Sequence, residues 1–358
     1  MAPKISVIMP MYNCEEYVRL AIGTLLEQTF KDFEAILIDD GSTDRTLEIA
    51  KSFSDPRIKI IELEKNIGGI EGVGTVRNIG LEHARGEFIY FMDSDDALLP
   101  DGLTYMLDAA ERSGADVVIC LKFFKVEDDG FDSLEQTKMI PSGINARGFV
   151  ESDLEARIMH GYYDQLPTLV FMHLYRRTLL IDNNIRFDSI LIGEDVVFNT
   201  QVLCTTPKIF KVDKPFYVYR LRSKSMSHLN EMTIDEFVKR IRSFLRITVA
   251  LNDIISAAFE REHRKADVFL IDNICALFAQ DFYPYHLMRF YKSDPVACNI
   301  ILDAEIKKMY GNAPALLRVM TTEYFMAELS RLTERYEKLQ LRNTMKALKE
   351  SINKVITF

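Results

Sequence analysis

The first third of the chain alternates between two hydrophobic rhythms. Residues 4–9, KISVIM, are nearly all apolar and predict a short buried strand stopped by Pro10. Apolar residues then fall at 17, 18, 21, 22, 25 and 26, which is a helical period. Residues 33–38, FEAILI, predict a second strand, closed by Asp39-Asp40-Gly41-Ser42. Thr43-Asp44 open a helix to Phe53, with Asp44 suited to its cap or first turn. Residues 58–63 predict a third strand, 66–69 a loop and 75–84 a helix. FIYFM at 88–92 is a fourth strand, 103–113 a helix and 116–124 a fifth strand.

Strands that alternate with helices imply a mostly parallel sheet with helices on both faces. Ligands of such sheets bind beyond the carboxyl ends of the strands. Three polar clusters fall at those ends: Pro10-Met11-Tyr12-Asn13, Asp39 to Ser42, and Asp93 to Asp96. Further on, residues 127–165 are mixed, with turns expected at Asp128-Asp129-Gly130 and Pro141-Ser142-Gly143. Residues 169–175 predict a strand near a site entrance, 192–203 a helix, and 216–221 another strand. From about Thr233 the period is helical, with interruptions near Pro284, Pro295 and Pro314. The expected organisation is an α/β domain over 1–230, with halves of about 1–125 and 126–230, and an α-helical extension over 231–358.

Composition narrows the class. The chain has 358 residues, of which 48% are apolar, enough for a sizeable core. Its formal net charge of −9 argues against a general nucleic-acid binder. Five scattered cysteines without CxxC spacing fit reduced thiols, and with them a cytoplasmic setting. The start MAPKISVIMPMYN does not have the pattern of a signal peptide, and no window approaches 18 uninterrupted apolar residues.

The fourth strand runs straight into Asp93-Ser94-Asp95-Asp96, three carboxylates within four positions. A solvated turn explains such a cluster when it stands alone. At an edge already carrying two other polar clusters, a divalent cation explains it better. Crowded carboxylates repel one another unless a cation is bound. Mg²⁺ or Mn²⁺ takes hard oxygen ligands, often one or two from protein and the rest from water and phosphates.

Four segments, SVIMPMYN, QTFKDFEAILIDDGSTD, VRNIGLEHARGEFIYFMDSDD and GED, occur in this order over residues 4–230. In that order they resemble the family 2 glycosyltransferases, inverting nucleotide-sugar enzymes with the GT-A fold, a Rossmann-like α/β architecture. The resemblance implies that Asp95 binds the metal bridging the donor diphosphate. Asp93 would contact the ribose, or the metal through water, and Ser94 lies on the same turn. Asp40 would accept the base N–H of a uridine nucleotide, which selects against bases without that donor. Asp39 would line the nucleotide-sugar site beside it, or instead be structural and cap the turn with Ser42. Pro10, Tyr12 and Asn13 would cradle the nucleoside. Arg77 would approach the base or diphosphate, with Lys65 and Asn66 nearby.

Glycosyl transfer also needs a base for the acceptor hydroxyl. By resemblance that base is Asp195 of Glu194-Asp195, although acidic residues also suit a helix first turn for purely structural reasons. Residues 219–228 concentrate charge and hydroxyls; Arg222 would reach the diphosphate if this segment closes, or the segment is an exposed linker. His228 stands where some GT-A enzymes place a metal ligand. The apolar stripe over 323–358 would pack on the catalytic domain, on a second copy, or on an anionic membrane surface near a lipid-linked acceptor.

The expected activity is metal-dependent transfer from a nucleotide sugar, UDP-linked, to a saccharide hydroxyl in cell-surface glycan synthesis. The competing classes are a nucleotide-sugar-binding module without catalysis and a nucleotidyltransferase on a similar sheet. PMYNCEEY lacks the glycine-rich basic loop of the latter. GxGxxG is also missing after the first strand, which disfavours an NAD enzyme.

Overall fold

A computed structural model describes residues 2–127, 138–141, 148–150, 152–163, 166, 168–221 and 234–265. Strand β1 (Ile5–Met11) lies between β2 (Phe33–Asp39) and β4 (Phe88–Phe91), and β3 (Ile58–Glu62) forms one edge beside β2. All three pairings are parallel. Helices α1 (Val18–Leu26), α2 (Thr46–Lys51), α3 (Gly68–Glu71), α4 (Val73–His83) and α5 (Gly102–Ser113) alternate with strands. A two-residue strand, β5 (Ala97–Leu98), follows the acidic turn.

The second half completes the sheet. Strands β6 (Val117–Cys120) and β7 (Lys122–Glu127) follow α5, then β8 (Lys138–Pro141), β9 (Gly148–Phe149) and α6 (Leu154–Tyr163). A 3₁₀ turn at Val170–Met172 leads into β10 (His173–Arg176), α7 (Arg177–Asp182) and α8 (Glu194–Thr205). Strands β11 (Ile209–Val212) and β12 (Tyr217–Leu221) precede the long helix α9 (Ile234–Arg261). The large sheet has the order β3-β2-β1-β4-β10-β6-β11-β9, and a smaller sheet has β5-β12-β7-β8.

Period-two alternation along β1 divides the core. Ile5, Val7, Met9 and Met11 join the cluster containing Val18, Ala21 and Leu25 of α1 and Leu103 and Met106 of α5. Ile8 joins the opposite cluster with Val76 of α4 and Phe198 of α8. Ser6 is the buried polar exception, and it donates to Glu34 on β2 at 2.7 Å.

The expected mostly parallel α/β sheet is the one observed, with four corrections of detail. Pro10 does not end β1, which continues to Met11 against β2. The ladder with β4 ends at Ile8, so the side on which Pro10 lacks a donor has no strand to pair. The single strand expected at 116–124 is two, because the chain leaves the large sheet at Leu121 and enters the small one. The strand at 173–176 is antiparallel to both neighbours, and 170–172 is a 3₁₀ turn. The loop expected at 66–69 runs into the one-turn helix α3.

Residues up to 221 and from Arg246 to Lys265 belong to one compact unit, while 234–245 fall in a second. The boundary expected at 230/231, the turns at 128–130 and 142–143, Arg222, His228 and the stripe over 323–358 lie outside the described residues. No described helix is long and apolar enough to cross a membrane.

Helix α4 lies so close to β1 that a Cβ on Gly80 would stand 2.3 Å from Ile8 Cγ2. Ile8 is fully buried, on a central strand of the sheet. Gly80→Ala is therefore expected to destabilise the protein by about 1–3 kcal/mol, the usual cost of overpacking. Urea unfolding monitored by circular dichroism measures it.

Candidate active site

The ends of β1 and β2 build one wall. Tyr12 leaves the sheet with 46% of its surface exposed, a ring available for stacking. Asn13 follows at φ 45°, the left-handed region that Asn tolerates. Its side-chain oxygen accepts the Thr43 N–H at 2.8 Å, and its own N–H donates to Ser42 Oγ at 3.1 Å. These bonds tie the loop after β1 to the loop after β2.

Asp39 and Asp40 are both buried, with different partners. Asp39 Oδ2 accepts the Ser42 N–H at 3.2 Å, the turn cap expected for it, while its buried Oδ1 has no partner. Asp40 accepts from the N–H groups of Ile67 and Gly68, each at 2.8 Å, and from Asn66 Nδ2 at 3.1 Å. A carboxylate offers about four acceptor positions, so one is left for a further donor such as a base N–H. Burial pushes the Asp40 carboxyl above its usual range, against the pull of the two backbone N–H groups.

The acidic turn after β4 gives its carboxylates separate tasks. Asp96 is buried and accepts the Tyr217 hydroxyl at 2.6 Å and the Arg220 N–H at 2.7 Å. Burial, reinforced by Asp95 and Asp93, raises its pKa well above the carboxylate range. Asp93 N–H donates to Tyr217 Oη at 3.2 Å, and Arg220 Nε donates to the Asp95 carbonyl at 3.1 Å. Asp96 thus fastens β12 to the turn. Ser94 is buried and hydrogen-bonds the Cys14 thiol, whose pKa burial raises.

Arg77 closes the centre. From α4 its Nη2 donates to Asp93 Oδ1, and its Nη1 to Glu194 Oε1 and Asp195 Oδ1, all at 2.9 Å. Its side chain is 4% exposed. Burial opposes the guanidinium charge, but Asp195, Asp93 and Glu194 outweigh it and raise its pKa. Gly193, at φ 88°, starts α8 and puts Glu194 and Asp195 in its first turn. Asp195 Oδ2 also accepts the Val170 N–H at 3.2 Å. Burial, with Glu194 and Asp93 adding to it, pushes Asp195 up to about 7 against the opposing pull of Arg77 and Val170. One cation shared among three carboxylates leaves net negative charge, so a proton is held more tightly.

Two of these anchors escaped the sequence reading. Val170 acts through its backbone, and Tyr217 is one aromatic among many; neither carries a spacing signal. Asn78 was missed too. It exchanges two hydrogen bonds with Phe187, at 2.8 and 3.0 Å, and holds the loop that leads to Gly193.

Residues 6–180 match the family model described as Glycosyl transferase family 2. These residues form a family 2 glycosyl transferase domain. The chain is 31% identical to the glycosyltransferase EpsJ of Bacillus subtilis over 233 residues, 64% of each protein. It is 29% identical to TarS of Staphylococcus aureus, a poly(ribitol-phosphate) beta-N-acetylglucosaminyltransferase, over 274 residues. That alignment covers 73% of this chain and 42% of TarS. The chain therefore spans less than two thirds of either relative. The crystal structure of S. aureus TarS 1–349 with UDP-GlcNAc superposes with a TM-score of 0.65 at 22% identity, over 94% of this chain and 92% of that one. The expected GT-A fold is shared.

Within this glycosyl transferase domain, no group of three or more His, Cys, Asp or Glu among the described residues is arranged as a metal cage. A Mg²⁺ or Mn²⁺ ion held by one carboxylate, water and a diphosphate needs no such cage. The donor set fits: Asp95 would offer a hard carboxylate oxygen, on a turn where Asp95 and Asp93 both raise the Asp96 pKa by repulsion. A bound cation would relieve that crowding.

Tyr217→Phe would leave a buried carboxylate oxygen and the Asp93 N–H without their partner. We expect a loss of about 1–3 kcal/mol, the usual cost of stranding buried polar groups. Denaturant unfolding reads it directly.

Proposed function

We propose that this protein is an inverting, metal-dependent glycosyltransferase that moves a sugar from a UDP-sugar to a saccharide or lipid-linked saccharide hydroxyl in cell-surface glycan synthesis. The observation that carries the proposal is the placement of Asp195. It stands in the first turn of α8, 16% exposed, and shares one guanidinium with Asp93 of the acidic turn. A base candidate and a donor-holding turn thus share one binding edge of the sheet.

Asp195 takes the proton from the acceptor hydroxyl as its oxygen attacks the anomeric carbon. The bond from that carbon to the diphosphate oxygen breaks on the opposite face, and the configuration inverts. The raised proton affinity of Asp195 suits a base working near neutrality. Asp95 would hold a divalent cation, which when bound would supply charge neutralisation for the departing diphosphate. Tyr12 stacks on the base, Asp40 accepts its N–H, and Pro10, Asn13 and Asp39 shape the nucleoside wall. Asp93 and Ser94 line the ribose and diphosphate side. By the family resemblance alone, Arg222 would serve the diphosphate and His228 the metal.

The S. aureus TarS structure bound to UDP-GlcNAc supports the choice of that donor as a first probe. UDP released from UDP-GlcNAc in the presence of Mn²⁺, with water as acceptor, gives a rate without a known acceptor. A base is active when ionised, so kcat/KM should rise about tenfold per pH unit below about 7 and level off above it. Asp195→Asn should abolish this rise and lower the rate by roughly 10²–10⁴-fold, while UDP binding persists. Full activity in the Asp195→Asn variant would remove the base assignment.

A further inference from the structure

Arg77 was expected at the nucleotide, but its geometry points elsewhere. Both terminal amino groups are committed to carboxylates, and its Nε is buried without a partner. One face of the guanidinium lies against Phe187, 5.5 Å from the ring centroid. Three of its five N–H groups are held by carboxylates, and the side chain is only 4% exposed, which leaves a phosphate or base little access to it. Its partners also come from separate parts of the chain. Asp93 opens the turn after β4, whereas Glu194 and Asp195 start α8 more than a hundred residues later.

We propose that Arg77 is a positioning residue that sets the base Asp195 against the donor-holding turn, and that it does not bind the nucleotide. The proposal rests on the glycosyltransferase reading above. Guanidinium is planar, with its N–H groups in a rigid fork, so two carboxylates bound to its two arms are fixed in distance and direction. The side chain that carries the fork is itself fixed. Helix α4 is packed on β1 at Gly80, and its Asn78 holds the 187 loop. A Cβ on Gly74, one turn before Arg77, would lie 3.0 Å from Glu194 Cγ and 2.7 Å from Phe187 Cβ, so α4 and the start of α8 are in close contact there. Displacing a reacting group by about an ångström costs on the order of a hundredfold in rate, which makes such a fixture matter to turnover.

Lysine keeps the charge but not the fork, so Arg77→Lys is the informative variant. Calorimetry with UDP and Mn²⁺ should give an affinity within about threefold of the parent protein, because no nucleotide contact is lost. UDP release from saturating UDP-GlcNAc should fall about a hundredfold. In an Asp195→Asn background the same substitution should cost little more, because a residue acting through Asp195 has nothing left to position. If Arg77→Lys does not fold, the Arg77→Lys/Glu194→Gln pair removes the carboxylate the shorter side chain leaves bare and serves the same comparison.

A tenfold loss of UDP affinity with the saturating rate preserved would make Arg77 a nucleotide ligand and overturn the proposal. An unchanged rate, or a loss that multiplies with Asp195→Asn, would overturn it in favour of a structural role. Failure of the underlying reading looks different: the parent protein would not bind UDP with Mn²⁺, or Asp195→Asn would retain full activity.

Discussion

One buried guanidinium bridges three carboxylates where α4, the acidic turn and α8 meet, and the geometry of the candidate site depends on that bridge. Burying such a cluster carries a large desolvation cost, and replacing it with apolar residues often leaves a protein equally or more stable. Stability is therefore a weak explanation for it. Its stronger consequence is spatial, because it joins an element from each half of the domain across the edge where ligands of parallel sheets bind.

A second set of bonds holds the acidic turn from the other side. Asp96 receives the Tyr217 hydroxyl and the Arg220 N–H, while Tyr217 in turn receives the Asp93 N–H. The three aspartates of the turn thus divide their work by depth. Asp96 is buried and structural, Asp93 faces Arg77, and Asp95 carries the proposed metal contact. This division explains how a strand can end in so much like charge: part of it is neutralised by Arg77, part is held by buried donors, and the proposed cation would answer for the rest.

The alternating rhythms of the first 125 residues made the sheet legible, because buried parallel strands and amphipathic helices leave periodic marks. Junctions were less legible. VVICLKFF gives no sign of changing sheets at Leu121, since strands of either sheet are apolar. The short strand β10, HLYR, likewise carries no mark of the direction in which it runs. At the site, the resemblance singled out the acidic residues that the structure gathers at one edge, namely Asp39, Asp40, Asp93 and Asp195. It did not reveal that Arg77 would face carboxylates, because a lone arginine on a helix carries no mark of its partners. Tyr217 and the Val170 N–H were hidden for the same reason: their roles exist only once distant segments meet.

The most direct test of the central claim is calorimetric titration of the intact protein with UDP and with GDP, each with and without Mn²⁺. The account predicts that UDP binds, that Mn²⁺ strengthens this binding, and that GDP binds far more weakly, because Asp40 and Asp95 act on the base and the diphosphate of the same ligand. Absence of UDP binding by the folded protein with Mn²⁺ present would contradict it.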